Sequence, residues 1–433
     1  MSHNLEKVAL HTLGCKLNFS ESSTIGRDFQ KKGFSIVKGF ENADIHIINT
    51  CSVTDKADKK AKRIIKKIIQ TSYNPYITVV GCYAQLKPDE IYNIKGVNLV
   101  IGDEQKLNVV NHVLNNFKDF NSKLIHSPIS ESINFKSSFS MNDRVRSYLK
   151  IQDGCDYPCT YCTIPKARGK SRSDKIDNVI QNIKILEKND ISEIVLTGVN
   201  IGDFGRLSKS ENFYNLINKI NISTSIKRYR ISSIEPNLLT NEIIDFVKNS
   251  NCFLPHFHIP LQSGNNKILS KMKRKYTAEF YAKKIKLIRD SIPNACIGAD
   301  VIVGFPGESE TDFLKTCEFI ENIKIDYLHV FSYSNRQNAK AINFTDQVPR
   351  SLKIDRSRIL QKQSEKMRLK FYKNNLNNVK KVLFESIYEN DYVVGFTDNY
   401  VRVYCKGTKE MINKIYNVKL LFLSEDKVLG EII

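Results

Sequence analysis

Cys155, Cys159 and Cys162 stand in the run DGCDYPCTYCTIP, with the spacing CxxxCxxC. Thiolates this close along a chain can share one metal centre. Their number matters more than their spacing. A closed iron–sulfur cluster or a structural zinc takes four protein ligands. Three cysteines on one loop leave one iron of a [4Fe-4S] cluster without a protein ligand. An open iron is a place for a cosubstrate, and the amino and carboxylate groups of S-adenosylmethionine can chelate it. An electron delivered into the sulfonium would then release a 5′-deoxyadenosyl radical. A zinc loop completed by a distant Cys or His fits the same spacing.

A second set is dispersed. Cys15 lies in TLGCKLN, Cys51 in INTCSV and Cys82 in VVGCYAQ. Each closes an apolar, strand-like run and is followed by helical or polar sequence. Strand ends at one edge of a parallel sheet converge, so the three can meet at one site and hold a second cluster with an open iron. The alternative is three small buried residues, because free Cys is among the most buried types. Cys252, Cys296, Cys317 and Cys405 show no ligand spacing and read as core or surface thiols.

The elements that must position these cysteines fall into segments. At roughly 150 residues per domain, 433 residues suggest about three domains. Residues 1–117 alternate strand-like runs (VALHTLG, ADIHIINTCSV, YITVVGCYAQ) with helical ones (ADKKAKRIIKKIIQ, PDEIYNI), which predicts a parallel α/β domain. Residues 118–141 are Ser-rich and lack a period, and are read as a linker. Residues 142–370 repeat strand–helix units and predict a full or partial (β/α) barrel with its chemistry at the C-terminal strand ends. Residues 371–433 switch to apolar–polar alternation with turn signals, predicting a small antiparallel β barrel. The fold class is therefore α/β.

Composition narrows the partners. Lys and Arg total 66 against 46 Asp and Glu, a net charge of +20, which favours a polyanionic partner such as nucleic acid, while 41% hydrophobic and 10% aromatic residues exclude a disordered tail as the main description. A solvated basic surface is the plainer reading. The N-terminus lacks a secretory pattern, and no stretch approaches roughly 18 uninterrupted apolar residues, so a cytoplasmic chain with no membrane partner is expected. Ten cysteines in a reducing compartment read as metal or redox chemistry before disulfides.

Six fragments in order, TLGC/NTC/GCYAQ, QDGCDYPCTYC, LTGVNIG, RISSIEP, HIPLQSG and GADVIVGFPGE, resemble the methylthiotransferases of the radical S-adenosylmethionine class over nearly the whole length. The C-terminal GFTDNYVRV resembles the RNA-binding TRAM module. TLGCKLN, NTCSVTDKADKKAKR, KARGKSRS and LTGVNIGDFG are most similar to the members acting on threonylcarbamoyladenosine in tRNA. Relatives acting on isopentenyladenosine or on a ribosomal protein remain alternatives, as does, in another class, a zinc-dependent RNA-binding protein.

The resemblance implies two [4Fe-4S] clusters and S-adenosylmethionine. Cys155, Cys159 and Cys162 would serve radical generation, and Cys15, Cys51 and Cys82 would hold or supply sulfur. The substrate would be a tRNA anticodon stem-loop, methylthiolated at carbon 2 of the adenine 3′ of the anticodon. A reductant protein such as flavodoxin or ferredoxin would be a further partner. Tyr161 falls where relatives place an aromatic near the cosubstrate adenine. Gly198, Ser232, Ser233 and Gln262, at strand ends, are the other cosubstrate candidates; a turn glycine and satisfied polar groups are the plainer reading of each. His256, His258 and His329 are given no role. Relatives commonly read Gly-Thr-x-Ala after a Tyr-Ser-x-Arg stretch; here Arg336 is kept but Gln337, Asn338 and Ala339 follow.

For RNA phosphates, the basic stretches Lys56–Lys67, Lys166–Lys175 and Lys353–Lys381 are the candidates. Tyr388, Tyr392, Phe396, Tyr400 and Tyr404 are candidates for base stacking, although strand alternation would put half of them in the barrel core.

Overall fold

Strand–helix alternation in the N-terminal part produces a wholly parallel sheet of six strands. Their spatial order is Ser35–Val37, Lys7–Thr12, Ile45–Thr50, Tyr76–Gly81, Leu99–Ile101 and Lys123–Ile125. The computed structural model describes residues 6–40, 43–117, 120, 122–388 and 391–433. Residues 1–5, 41 and 42 of the first segment, Lys118, Asp119 and Asn121 of the expected linker, and residues 389 and 390 of the last segment lie outside these. Strands Ile45–Thr50 and Tyr76–Gly81 are buried along their whole length, which is why they read as unbroken apolar runs. Helix Asp55–Thr71 is capped by Thr54, whose side chain accepts from the Ala57 N–H. It buries Ala61, Ile65 and Ile68 and turns Lys56, Lys59, Lys60, Lys62, Arg63, Lys66 and Lys67 to solvent.

The stretch read as a linker contributes structure. Lys123–Ile125 is the sixth strand, and Ser138–Phe139 pairs antiparallel with Leu149 and Lys150. Strands of three and two residues are too short to display a period.

Six parallel strands form the central unit: Arg146–Lys150, Glu193–Thr197, Arg228–Ile231, His256–His258, Cys296–Val303 and Tyr327–Ser332. The first three and last three form two hydrogen-bonded groups, joined by the bridges Tyr229↔Phe253 and Ser233↔His258. Among the described residues the first and last strands do not pair, so the barrel is partial. Helices between the strands bury Val179, Ile183, Leu216, Ile243, Ile285 and Phe313 against its outer face.

Helix Arg350–Asn374 leads into a closed barrel of Val379–Tyr388, Tyr392–Thr397, Arg402–Lys406, Ile415–Ser424 and Lys427–Ile432. The expectation of a purely antiparallel barrel is corrected at one place: Arg402–Lys406 and Lys427–Ile432 run parallel. Five strands cannot alternate direction all round a closed ring, so one neighbouring pair must be parallel.

The turn between its second and third strands is not free for RNA. Arg228 and Arg230, both paired with Glu193 at 2.7 Å, donate to the carbonyls of Thr397 (2.8 Å each) and, from Arg230, of Asp398 (2.9 Å). Tyr400, at φ +71°, stacks on His256 of the central barrel with centroids 4.2 Å apart. Phe396 lies beneath the Arg146 guanidinium. Two of the five expected stacking aromatics therefore hold two barrels together.

In the N-terminal sheet, His11 and His46 stack on neighbouring strands, with His11 Nε2 3.0 Å from His46 Nδ1. Burial, helped at His11 by the neighbouring His46, lowers both to about 4. In the unfolded chain each takes a proton near pH 6.5. Between pH 6.5 and 4 the unfolded state thus binds more protons, and stability falls as pH falls, by at most about 1.4 kcal/mol per pH unit for each imidazole. His46→Phe should flatten the acid limb of the stability curve over that interval. An unchanged slope in urea unfolding would refute the assignment.

Candidate active site: two cysteine triplets and a buried ion network

Cys51 and Cys82 directly follow the paired strand ends Thr50 and Gly81. Cys15 follows the adjacent strand, whose last residue, Thr12, pairs with Asn49. The three thus leave three neighbouring parallel strands at one edge. Gly14 has φ +102°, and a Cβ on it would stand 2.6 Å from the Cys51 Cβ. Glycine is what lets Cys51 lie against the backbone beside Cys15. Cys15 is exposed, Cys51 intermediate and Cys82 buried. Burial pushes the Cys82 thiol up to about 12 and raises Cys51 as well.

Cys155, Cys159 and Cys162 lie on the loop between strand Gln152–Asp153 and helix Ile164–Arg168. The Tyr157 N–H points at Cys155 Sγ and the Ile164 N–H at Cys162 Sγ, each at 3.4 Å. Arg274 Nη1 lies 3.1 Å from Cys159 Sγ. These donors favour the thiolate that a metal needs. Burial works the other way and pushes Cys155 and Cys162 up to about 12, so metal binding must displace protons. A cavity of about 300 Å³ lies against the loop, lined by all three cysteines with Lys166 and Asn338.

Three thiolates and no fourth on this loop are the donor set of a [4Fe-4S] cluster with one open iron, and the N–H groups aimed at Cys155 and Cys162 suit sulfurs bound as thiolates.

The cosubstrate candidates divide. The Ser232 hydroxyl and Gln262 Oε1 are buried without any hydrogen-bond partner, at the ends of neighbouring strands. Orphaned polar atoms of this kind fit a polar ligand such as S-adenosylmethionine. Ser233 sits in the bridge to His258, and its carbonyl accepts from the Ile201 N–H at 3.4 Å. Tyr161 accepts from Arg274 Nη1 through its hydroxyl at 3.2 Å and packs beside the cluster that contains Phe305. At Gly198 the absent side chain makes room for protein: a Cβ would stand 2.8 Å from Gln152 Oε1. Gln152 uses that position to accept from the Asn200 N–H and to donate to Gly154 O and Ser171 Oγ.

Several residues at the site have contacts that carry no local signal in the sequence. Arg274 joins Cys159, Tyr161, Tyr276 and the Glu235 carboxylate. Arg336 donates to Ser52 Oγ at 2.6 Å and to Asp58 at 2.9 Å, one residue beyond Cys51. It clasps the loop after the last barrel strand to the N-terminal sheet, even though the residues after it depart from the usual pattern.

The largest such group is a buried ion network between the cysteine sets. The Arg168 guanidinium donates to Glu21 (3.0 Å), Asp153 (3.0 Å) and Asn18 Oδ1 (2.6 Å). Lys106 and Lys150 reach Glu21 at 2.8 and 3.1 Å, and Arg172 reaches Asp103 at 3.2 Å. Asn18 Nδ2 in turn donates to the carbonyls of Leu13 and Thr50, on the segments entering Cys15 and Cys51. Arg168, at the end of the helix after Cys162, thereby holds the backbone that presents the other triplet. The basic stretch Lys166–Lys175, expected to meet RNA, spends Arg168 and Arg172 on internal carboxylates.

The family model described as the Radical SAM superfamily matches residues 149–320, and the one described as Uncharacterized protein family UPF0004 matches residues 7–102. The chain is 38% identical to threonylcarbamoyladenosine tRNA methylthiotransferase MtaB of Bacillus subtilis, over 96% of this chain and 93% of that protein. It is 35% identical to the protein of the same name from Aquifex aeolicus, over 94% and 98%. It is 32% identical to the tRNA-2-methylthio-N(6)-dimethylallyladenosine synthase of Endomicrobium trichonymphae, over 98% and 99%. Among solved structures it resembles the radical S-adenosylmethionine methyltransferase TsrM of Kitasatospora setae, with a TM-score of 0.55 over 76% of this chain and 75% of that one; at 12% identity this is a likeness of fold. The two matched segments carry the two cysteine triplets and the full-length relatives span nearly the whole chain, so this protein belongs to the radical S-adenosylmethionine methylthiotransferase family.

Proposed function

We propose that the chain methylthiolates carbon 2 of N6-threonylcarbamoyladenosine at position 37 of tRNA, using S-adenosylmethionine and two [4Fe-4S] clusters. The observation that carries this reading is the pair of cysteine triplets on separate units, tied together through Arg168 and Asn18. Cys155, Cys159 and Cys162 would hold a cluster that, given an electron by a reductant protein, would supply the reductive cleavage of S-adenosylmethionine that attack on an unactivated adenine C–H requires. The chain's own residues supply the setting. Arg274 places positive charge beside Cys159, and Ser232 and Gln262 offer hydrogen-bonding atoms to the cosubstrate. Cys15, Cys51 and Cys82 would hold the second cluster, which would supply the sulfur.

For the tRNA, the exposed lysines of helices Asp55–Thr71 and Arg350–Asn374 provide phosphate contacts whose strength falls with salt. Full-length relatives named for threonylcarbamoyladenosine reach 38% and 35% identity and support that substrate over dimethylallyladenosine.

Mass spectrometry of tRNA nucleosides from a strain lacking this protein should show loss of the methylthio group from threonylcarbamoyladenosine alone. Loss from isopentenyladenosine would overturn the substrate. The loaded protein should contain about eight iron and eight sulfide per chain. Stoichiometric zinc without visible-range absorbance would overturn the enzyme reading.

A further inference from the structure

The loop that carries Cys155, Cys159 and Cys162 is held by two neighbours. Its C-terminal end meets the N-terminal unit: Thr163 Oγ1 donates to the Ser52 carbonyl at 3.5 Å, and Arg168 beyond it reaches Glu21 and Asn18. Its middle is tied to the turn between helices Asn266–Lys271 and Ala278–Ser291. There Thr160 donates from its N–H to the Met272 carbonyl (3.2 Å) and from its hydroxyl to the Lys271 carbonyl (2.9 Å). The substrate base must meet both cysteine triplets, so it belongs at the junction with the N-terminal unit. A source of electrons needs this loop alone, and the edge along the turn is open to it.

Side chains alternate along that turn. Met272 is buried, and Arg274 points inward with Nη1 3.1 Å from Cys159 Sγ. Lys273 and Lys275 are exposed. Lys275 Nζ stands 4.1 Å from the centre of the Tyr157 ring, and the Tyr157 N–H faces Cys155 Sγ. Each of these surface cations is thus next to a group that contacts one of the three thiols. The Ala341 N–H donates to the Thr160 carbonyl at 2.8 Å, which brings the exposed Lys340 to the same loop. Lys271 meets Asp346 at 3.8 Å and Arg274 is paired with Glu235, whereas Lys273 and Lys275 pair with no carboxylate among the described residues. The exposed carboxylate of the loop itself, Asp156, is paired with Arg206 at 2.9 Å. The edge therefore carries positive charge that no acidic neighbour balances.

We propose that this edge docks a small acidic electron-carrier protein, with Lys273 and Lys275 steering it onto the cysteine loop. The inference rests on the reading that Cys155, Cys159 and Cys162 hold a cluster reduced by a protein donor, and it places that donor. The carrier would give one electron to that cluster and leave oxidised, with no bond formed or broken. Electron-transfer encounters are small and short-lived. A few charges at the rim of such a contact govern how fast it forms and how strongly salt weakens it. Lysines also attract RNA phosphates, but an RNA held along this turn would not thereby reach the second triplet.

The test titrates full-length, cluster-loaded protein with an acidic flavodoxin, at low and raised salt. Wild type should bind it, and more weakly as salt rises. Lys273→Glu combined with Lys275→Glu should bind at least about tenfold more weakly, and Lys273→Arg combined with Lys275→Arg should bind as wild type does. Formation of 5′-deoxyadenosine is read in parallel with two electron sources. With subsaturating reduced flavodoxin, the glutamate variant should lose cleavage by a similar factor. With dithionite, which needs no docking surface, it should match wild type. Lys273 has φ +57°, a conformation that glycine adopts more easily. Lys273→Gly therefore removes one charge without straining the turn, and should weaken flavodoxin binding while leaving the dithionite reaction intact. Flavodoxin binding that is absent in wild type or unchanged in the glutamate variant overturns the proposal. So does a loss confined to binding of the anticodon stem-loop, which would make the edge an RNA surface. An equal loss with both electron sources overturns it too, because the lysines would then support the loop itself. If wild type forms no 5′-deoxyadenosine even with dithionite, the cluster reading falls and this inference with it.

Discussion

Cys155→Ala should form neither 5′-deoxyadenosine nor methylthiolated product, whereas Cys51→Ala should still cleave S-adenosylmethionine while making no product. Both are expected as losses to background, read by chromatography of 5′-deoxyadenosine and mass spectrometry of the RNA. The difference follows from where the sulfurs sit. Cys155 is on the loop with the 300 Å³ cavity, and its sulfur faces the Tyr157 N–H. Removing it leaves two thiolates on that loop, because the remaining cysteines of the chain lie on other elements.

Cys51→Ala is a contained change by comparison. Alanine keeps the Cβ that packs over Gly14 and removes only the sulfur. Asn18 still reaches the Thr50 carbonyl, and Arg168 still reaches Asn18, so the loop carrying Cys155 keeps its support. If Cys51→Ala also abolishes cleavage, the two triplets do not divide the work in this way.

Some of this was readable in the sequence because the signal is local. CxxxCxxC needs no tertiary knowledge, and a cysteine ending an apolar run marks a strand end. Three such strands proved to be immediate neighbours in one parallel sheet. What stayed hidden was long-range. Arg168 finds Glu21 across 147 positions, and Arg336 finds Ser52 across 284. Nothing in KARGKSRS distinguishes an arginine aimed inward from one facing RNA, and charge counting treats them alike. Tyr400 is ambiguous for a related reason: its place in a turn and its aromatic ring suit a base as well as they suit His256. His256, His258 and His329 carry no role in the sequence reading; His329 is exposed.

Arg168→Met should destabilise the protein by about 3 kcal/mol, the lower part of the range for breaking a buried ion pair from one side. The lower part applies because Lys106 and Lys150 still reach Glu21. The signature distinguishing this from ordinary cavity formation is its pH dependence. Burial alone would raise the carboxyls of Glu21 and Asp153; Arg168, with Lys106 and Lys150, overrides it and holds both well below the usual carboxylate range. Their folded pKa values are depressed, so the contribution is fully present above the ordinary carboxylate values and is lost only as pH falls toward the lowered ones. Without Arg168 both carboxyls rise, and the acid limb of the Tm curve should move to higher pH. Arg168→Lys keeps a charge but lacks the fork that spans Glu21, Asp153 and Asn18 together. It should recover much of the acid resistance while still losing the anchor on Asn18, and with it the hold on the backbone entering Cys15 and Cys51. Iron per chain should then fall toward one cluster in the lysine variant even where its Tm is largely restored. If Arg168→Lys binds iron at the full level, Arg168 acts through charge alone and does not position the N-terminal triplet.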